Sequence, residues 1–273
     1  MPFATIHNLV FYYEIHGPQN APPLVLIAGR SSDHSAWLPN LRVLCKSYRV
    51  LVFDHRSVGQ SSMCVPGYTI RDLAVDTLGL MQRVGFARAH VVGASMGGYI
   101  AQELALLEPQ RVSALVLAAT VAHSDPWLNN IWTMTANLAA DEAQRETRVR
   151  LSMLLNFSPD FVNHPGMLEG LVQYGVGKPS QQTLEGLRGH IAACRSHDTR
   201  IRLSGITTPT LVLAGDQDML MPLARVRQVA ELIPGATFQV IPGGHSFATE
   251  SFDEFNAAVD TFLTQHHDLL TAA

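Results

Sequence analysis

Three things are scarce in this 273-residue chain: cysteine, positive charge, and any apolar run long enough to span a membrane. Its 3 cysteines, Cys45, Cys64 and Cys194, are far apart and odd in number, and none stands in a C-x-x-C pair. That excludes a disulfide framework and reads as buried, inert thiols in a reducing compartment. No apolar stretch approaches the length of a membrane span. The opening Met1-Pro2-Phe3-Ala4-Thr5 has neither the charged region nor the apolar region of a signal peptide, so a soluble, cytoplasmic protein is expected. The formal net charge is −4 and no Lys/Arg run exists, which leaves no basic footprint for nucleic acid or for an acidic membrane surface. Repeats and low-complexity tracts are absent as well. The 12 histidines show no metal-ligand spacing, and His266-His267 reads as a solvated tail.

What is present is core. Hydrophobic residues make up 47% of the chain and charged residues only 15%, the composition of one large folded domain, or one domain carrying an insertion. Residues 6–16 alternate bulky and polar side chains and read as an opening hairpin turning at Asn8. Continuous apolar runs at 24–28, 48–53, 90–92 and 112–119 have the pattern of strands buried on both faces of a parallel sheet. Helical periodicity fills the gaps at 37–44, 70–84 and 99–107. The strand pattern resumes only at 210–214 and 237–241, with helices at 223–233 and 252–265. Between about 121 and 205 the pattern is purely helical, over 126–140, 141–156, 161–174 and 180–195, the last with Ser180 as its N-cap. Alternating strands and helices imply a mostly parallel α/β sheet with helices on both faces, interrupted by a helical insertion of about 80 residues.

One stretch organises the rest. In Val91-Val92-Gly93-Ala94-Ser95-Met96-Gly97-Gly98, small residues flank a serine between an apolar strand and an apolar helix. That is the context a nucleophile elbow requires. An incidental serine in a glycine-rich turn would fit the letters, so the flanking elements and the groups downstream decide. In open α/β sheets functional groups gather at the carboxyl ends of the strands. Two such ends downstream carry an acid and a base: Gly215-Asp216-Gln217-Asp218 follows one strand, and Gly243-Gly244-His245 follows the last. A serine hydroxyl needs a base in reach, histidine titrates near neutrality, and a carboxylate holds the imidazole in the right tautomer. Asp216 and Asp218 both qualify for the last role; Asp216 can equally shape its turn through its side chain. His34, His55 and His123 also follow strands, as structural or pocket-facing groups.

Together these segments resemble the α/β-hydrolase superfamily over nearly the whole chain. Gly93-Ala94-Ser95-Met96-Gly97-Gly98 is similar to its elbow, and Asp54-His55-Arg56-Ser57-Val58-Gly59-Gln60-Ser61 to its D-x-R-G-x-G-x-S loop. Gly215 to Pro222 is similar to its G-x-x-D-x-x-x-P segment, whose second acid is the catalytic one, here Asp218. Gly243-Gly244-His245 is similar to its catalytic-histidine loop. The resemblance implies an eight-stranded sheet, residues 1–120 and 206–273 as the core domain, and residues 121–205 as a helical cap after the sixth strand. It implies a Ser95–Asp218–His245 triad, and no metal or organic cofactor. The one glycine-rich turn has Ser95 where a dinucleotide-binding fingerprint needs its second glycine. Within the superfamily, length and cap are most similar to the 3-oxoadipate enol-lactonase, aminoacrylate hydrolase and small carboxylesterase group. Two departures stand out: Ala28-Gly29 replaces the usual His-Gly, and Ser57 stands where the loop pattern has glycine.

The expected activity is hydrolysis of a small-to-medium carboxylic ester or lactone, with C–C or amide cleavage on the same triad as the alternative, and a non-catalytic binder of the same fold behind both. The backbone N–H groups of Arg30 and Met96 are the expected oxyanion donors. Arg30, Ser31, His123, Trp127 and Trp132 are expected to line the substrate pocket from one side. Phe157, Met219, Leu220 and Phe247 are expected to line it from the other. Arg30 is the one residue beside the oxyanion site that could grip a substrate carboxylate, with backbone use alone and a guanidinium in solvent as the equal alternative.

Overall fold

The computed structural model describes residues 2–178 and 182–270. The chain opens with the hairpin β1 (Phe3–Ile6) and β2 (Leu9–His16). The pair is antiparallel from Phe3↔Tyr12 to Ile6↔Leu9, and His7 and Asn8 form the turn, both at positive φ (48° and 66°). Two consecutive left-handed residues match the right-handed twist of the strands, which favours asparagine there. Next come β3 (Pro23–Ile27), α1 (Leu38–Leu44), β4 (Arg49–Phe53), α2 (Ile70–Arg83), β5 (Ala89–Ala94), α3 (Met96–Leu107) and β6 (Val112–Ala118). Thr69 and Asp72 close a reciprocal capping box that starts α2.

Eight strands form one sheet in the order β1-β2-β4-β3-β5-β6-β7-β8, where β7 is Thr210–Gly215 and β8 is Thr237–Ile241. From β4 to β8 every neighbouring pair is parallel; β2 runs antiparallel to β4. The central strands are the apolar runs of the sequence. All seven residues of β6 and all six of β7 are buried, because α2, α3 and α9 (Leu223–Leu232) cover one face and α1 and α11 (Phe252–Thr264) the other. Each fully buried Leu or Val there contributes about 1.5–3 kcal/mol relative to exposure.

Between β6 and β7 lie α4 (Pro126–Ala139), α5 (Arg145–Asn156), α6 (Pro159–Val162), α7 (Met167–Gly177) and α8 (Leu184–Ser196). The helix expected at 161–174 is in fact two, α6 and α7. Pro165 and Gly166 separate them, with Gly166 in the left-handed region at φ 76°. A short 3-10 turn, Glu142–Gln144, precedes α5. α8 starts later than its periodicity suggests, capped by the Thr183 hydroxyl, which accepts from Gly186 N–H; the expected cap, Ser180, lies outside the described residues. No helix among the described residues is long and apolar enough to cross a membrane. Cys194 is buried, whereas Cys45 and Cys64 are only half-buried, and all three are free thiols.

Candidate active site

Ser95 stands between β5 and α3 at φ 57°, ψ −120°, a conformation that costs a non-glycine residue on the order of 1–3 kcal/mol. The surroundings hold it there. Ser95 N–H donates to Ala118 O (2.9 Å), and its own carbonyl accepts from Thr120 Oγ1 (3.0 Å) and from Gly98 N–H (2.9 Å). The flanking glycines are required by contact. A Cβ on Gly93 would lie 2.2 Å from Gly97 O, and one on Gly97 would lie 2.1 Å from Ile27 O, both backbone atoms that cannot step aside. The elbow is therefore a strand, a helix and the neighbouring strand β3 packed backbone to backbone.

The acid and base arrive from the ends of β7 and β8. His245 Nε2 is 2.9 Å from Ser95 Oγ, and His245 Nδ1 is 2.9 Å from Asp218 Oδ2. The other oxygen of Asp218 accepts from Leu220 N–H (2.9 Å) and Met221 N–H (2.8 Å), and its side chain is fully buried. A carboxylate so held accepts from Nδ1–H, which leaves the Nε2 lone pair facing the serine hydroxyl. Asp216 does what its position beside Gly215 allows: its carboxylate accepts from Gly243 N–H (2.8 Å) and ties the β7 loop to the β8 loop. Thus one aspartate shapes the turn and the other meets the imidazole.

A cavity of about 750 Å³ opens over Ser95 and His245. Of the expected pocket residues, Arg30, Ser31, Trp132, Phe157 and Leu220 line it. His123, Trp127, Met219 and Phe247 do not. Trp127 is 58% exposed, because five residues along a helix turn it roughly 140° away from Trp132. Met219 projects outward from its loop at 43% exposure, while Leu220 beside it turns in. Phe247 sits on the short helix α10 (Phe247–Glu250), which aims it into the core against Phe255. His123 forms an isolated backbone bridge with Asp198, and burial lowers its pKa.

The two departures from the superfamily pattern are both accommodated. Ser57 adopts the left-handed conformation that glycine would (φ 65°), and its Oγ accepts from Cys64 N–H (3.0 Å). At Ala28, the carbonyl accepts from His55 Nε2 (3.0 Å); burial depresses the pKa of that imidazole, which holds it neutral. His34 instead meets Asp54 (2.7 Å). Among the described residues no group of three or more His, Cys, Asp or Glu is arranged to hold a metal ion.

Several site features left no mark in the sequence. Ser246 N–H donates to Asn156 O (2.6 Å), and Glu250 accepts from Gly244 N–H (2.9 Å) and from Ser158 N–H (3.2 Å). These bonds clamp the His245 loop to the end of α5. Gln182 lines the cavity and accepts from Ser31 Oγ (2.6 Å). The bond from Ser158 to Glu250 spans 92 residues and that from Ser31 to Gln182 spans 151, so no local spacing marks either contact.

The profile of the alpha/beta hydrolase fold family matches residues 22–251. A protein of Caulobacter sp. (strain K31) named "Putative carbamate hydrolase RutD" is 32% identical over 97% of this chain and 98% of its own. The enol-lactonase from Burkholderia xenovorans LB400 superposes with a TM-score of 0.86 at 31% identity, covering 96% of this chain and all of its own. A thermophilic esterase from Thermogutta terrifontis superposes at 0.83 with 26% identity, over 95% of this chain and 94% of its own. The sheet order, the serine on its strand-to-helix turn and these matches agree: the chain belongs to the alpha/beta hydrolase fold family and is an alpha/beta hydrolase enzyme.

Proposed function

We propose that this enzyme hydrolyses a small-to-medium carboxylic ester or lactone through an acyl-enzyme on Ser95. The observation that carries the reading is the unbroken hydrogen-bond chain Ser95 Oγ–His245–Asp218, at 2.9 Å for each link. Ser95 Oγ attacks the carbonyl carbon while His245 Nε2 takes its proton. Asp218 holds the ring and stabilises the imidazolium that forms. The backbone N–H groups of Arg30 and Met96 receive the developing oxyanion. Neither has an acceptor among the described residues: Met96 opens a helix whose first N–H groups have no intrahelical partner, and Gly29 brings the β3 loop against Ser95. Collapse expels the alcohol oxygen, which takes the proton from His245. Water, deprotonated by the same ring, then releases the acid. The helices of residues 121–205 act as the cap that walls the cavity from above.

The test is initial rates on p-nitrophenyl esters of increasing acyl length and on enol and saturated lactones, for wild type and Ser95→Ala. Wild-type turnover is expected to fall by about 10⁴-fold or more in the variant. Equal, background rates for both proteins on every ester and lactone would overturn the reading. Carbamate cleavage on the same triad is a second reading, favoured by the name of the Caulobacter relative, and identification of the released amine would select it.

A further inference from the structure

Arg30 follows Gly29 on the loop after β3 and lines the same cavity as Ser95 and His245. Its guanidinium lies over the ring of Trp132, 4.6 Å from the centroid. Nε is sealed from solvent and has no hydrogen-bond partner. Nη1 reaches only Ser31 Oγ, at a long 3.4 Å, and that hydroxyl already donates to Gln182 Oε1 at 2.6 Å. No carboxylate among the described residues forms an ion pair with Arg30. Neither Cys194 nor His190 beside it offers a negative charge: burial pushes the thiol up to about 12 and the imidazole down to about 3.

Contrast two arginines that do find an acid. Arg56 is bidentate to Asp76 at 2.6 Å through Nε and Nη2, and Arg202 is bidentate to Glu103. The guanidinium beside the nucleophile, by contrast, faces no acid among the described residues. A guanidinium cannot shed its proton, and its stacking on an aromatic ring is worth about 0.5–2 kcal/mol, less than removing an ion from water costs. A planar cation with free donors, framed by an indole and opening on a reaction cavity, is a receptor for a planar anion.

We propose that the Arg30 guanidinium binds a carboxylate carried by the substrate, so that the enzyme prefers half-esters of short dicarboxylic acids over neutral esters. The inference rests on the hydrolase reading above and narrows its substrate class. Ser31 and Gln182 hold the loop that aims the guanidinium, and Trp132 fixes its plane. The acid group then lies a short carbon chain from the carbonyl that Ser95 attacks.

The experiment compares initial rates on monoethyl succinate, glutarate and adipate with those on the matching diethyl esters by pH-stat, for wild type, Ser95→Ala, Arg30→Gln and Arg30→Met. Wild type is expected to favour the best half-ester by about 10- to 100-fold in kcat/KM, chiefly through KM, the scale of one charge-assisted pair in a partly desolvated site. Both Arg30 variants are expected to bring that ratio to within about threefold of unity, whatever happens to the common rate. If diethyl esters turn over in a Ser95-dependent way but half-esters gain nothing, the carboxylate site is overturned and the hydrolase reading stands. A preference that survives in both variants overturns it too. If no ester turns over, calorimetry with glutarate decides: binding by wild type that Arg30→Gln loses supports the site, and absence of binding by wild type overturns it. The wild-type arms need no variant to fold.

Discussion

β6 buries all seven of its residues, whereas α5 buries none of its twelve. The same contrast separates the two sides of the cavity. Ser95, Asp218 and His245 stand at the ends of β5, β7 and β8, on strands locked into one sheet. The opposite wall comes from α4, α5 and α8 with Gly175 of α7, and its middle is packed far more lightly: α5 buries nothing and α7 only Val172. The insertion is held at its ends. α4 buries Leu128, Ile131 and Trp132, and α8 buries seven of its thirteen residues. Groups that must keep their geometry to within a fraction of an ångström sit on the rigid side. Groups that only need to surround a substrate sit where local stability is low.

The largest expected break in that contrast is on the rigid side. Asp218→Asn should keep the fold, because the amide oxygen still accepts from Leu220 and Met221. It presents the wrong donor pattern to His245 Nδ1, and kcat should fall by about 10³- to 10⁴-fold. Steady-state kinetics beside an unchanged circular dichroism spectrum would check this.

A matched pair of truncations sharpens the comparison. Leu115→Ala in β6, fully buried, should cost about 2–5 kcal/mol in urea unfolding. Leu154→Ala in α5, 38% exposed, should cost about 1 kcal/mol or less. Equal costs would show the insertion to be as tightly packed as the sheet.

The smallest effect concerns the anchor. His190 on α8 donates from Nε2 to Arg56 O (2.9 Å) and accepts at Nδ1 from Gln182 Nε2 (3.2 Å). Burial, with the guanidiniums of Arg30 and Arg56 nearby, pushes its pKa down to about 3 from the ordinary 6.5. The folded pKa lies below the unfolded one, so the unfolded chain binds the extra proton between those values. The stability His190 contributes is full above pH 6.5 and is lost as pH falls toward 3. His190→Gln should flatten the slope of unfolding free energy against pH in that window by up to about 1.4 kcal/mol per pH unit. His90 and His197, buried to a similar pKa of about 3, should keep the rest of the slope.

Much of the frame is legible in the residues themselves. Runs such as 112–119 and 210–214 can only be strands covered on both faces, and the hairpin turn at Asn8 follows from its tolerance of positive φ. The juxtaposition of Ser95, Asp218 and His245 also follows from sequence, because each ends or follows a strand of one parallel sheet, and parallel strands present their carboxyl ends on one edge. Some misses had a signal: Pro165-Gly166 marks the break between α6 and α7, and helical geometry separates Trp127 from Trp132.

Local pattern, then, determined the strands, the elbow and the chain order of Ser95, Asp218 and His245, since these depend on spacing along the chain and on backbone chemistry. Tertiary structure alone decided that Asp216 ties the β7 loop to the β8 loop, which aromatics face the cavity, and that the His245 loop is clamped by Glu250 and Asn156. It also decided that Arg30 lies over Trp132 with no acid beside it, while Arg56 and Arg202 each meet one. Those facts depend on contacts between residues tens to hundreds of positions apart, and on what fills the space around a charge, which no local spacing encodes.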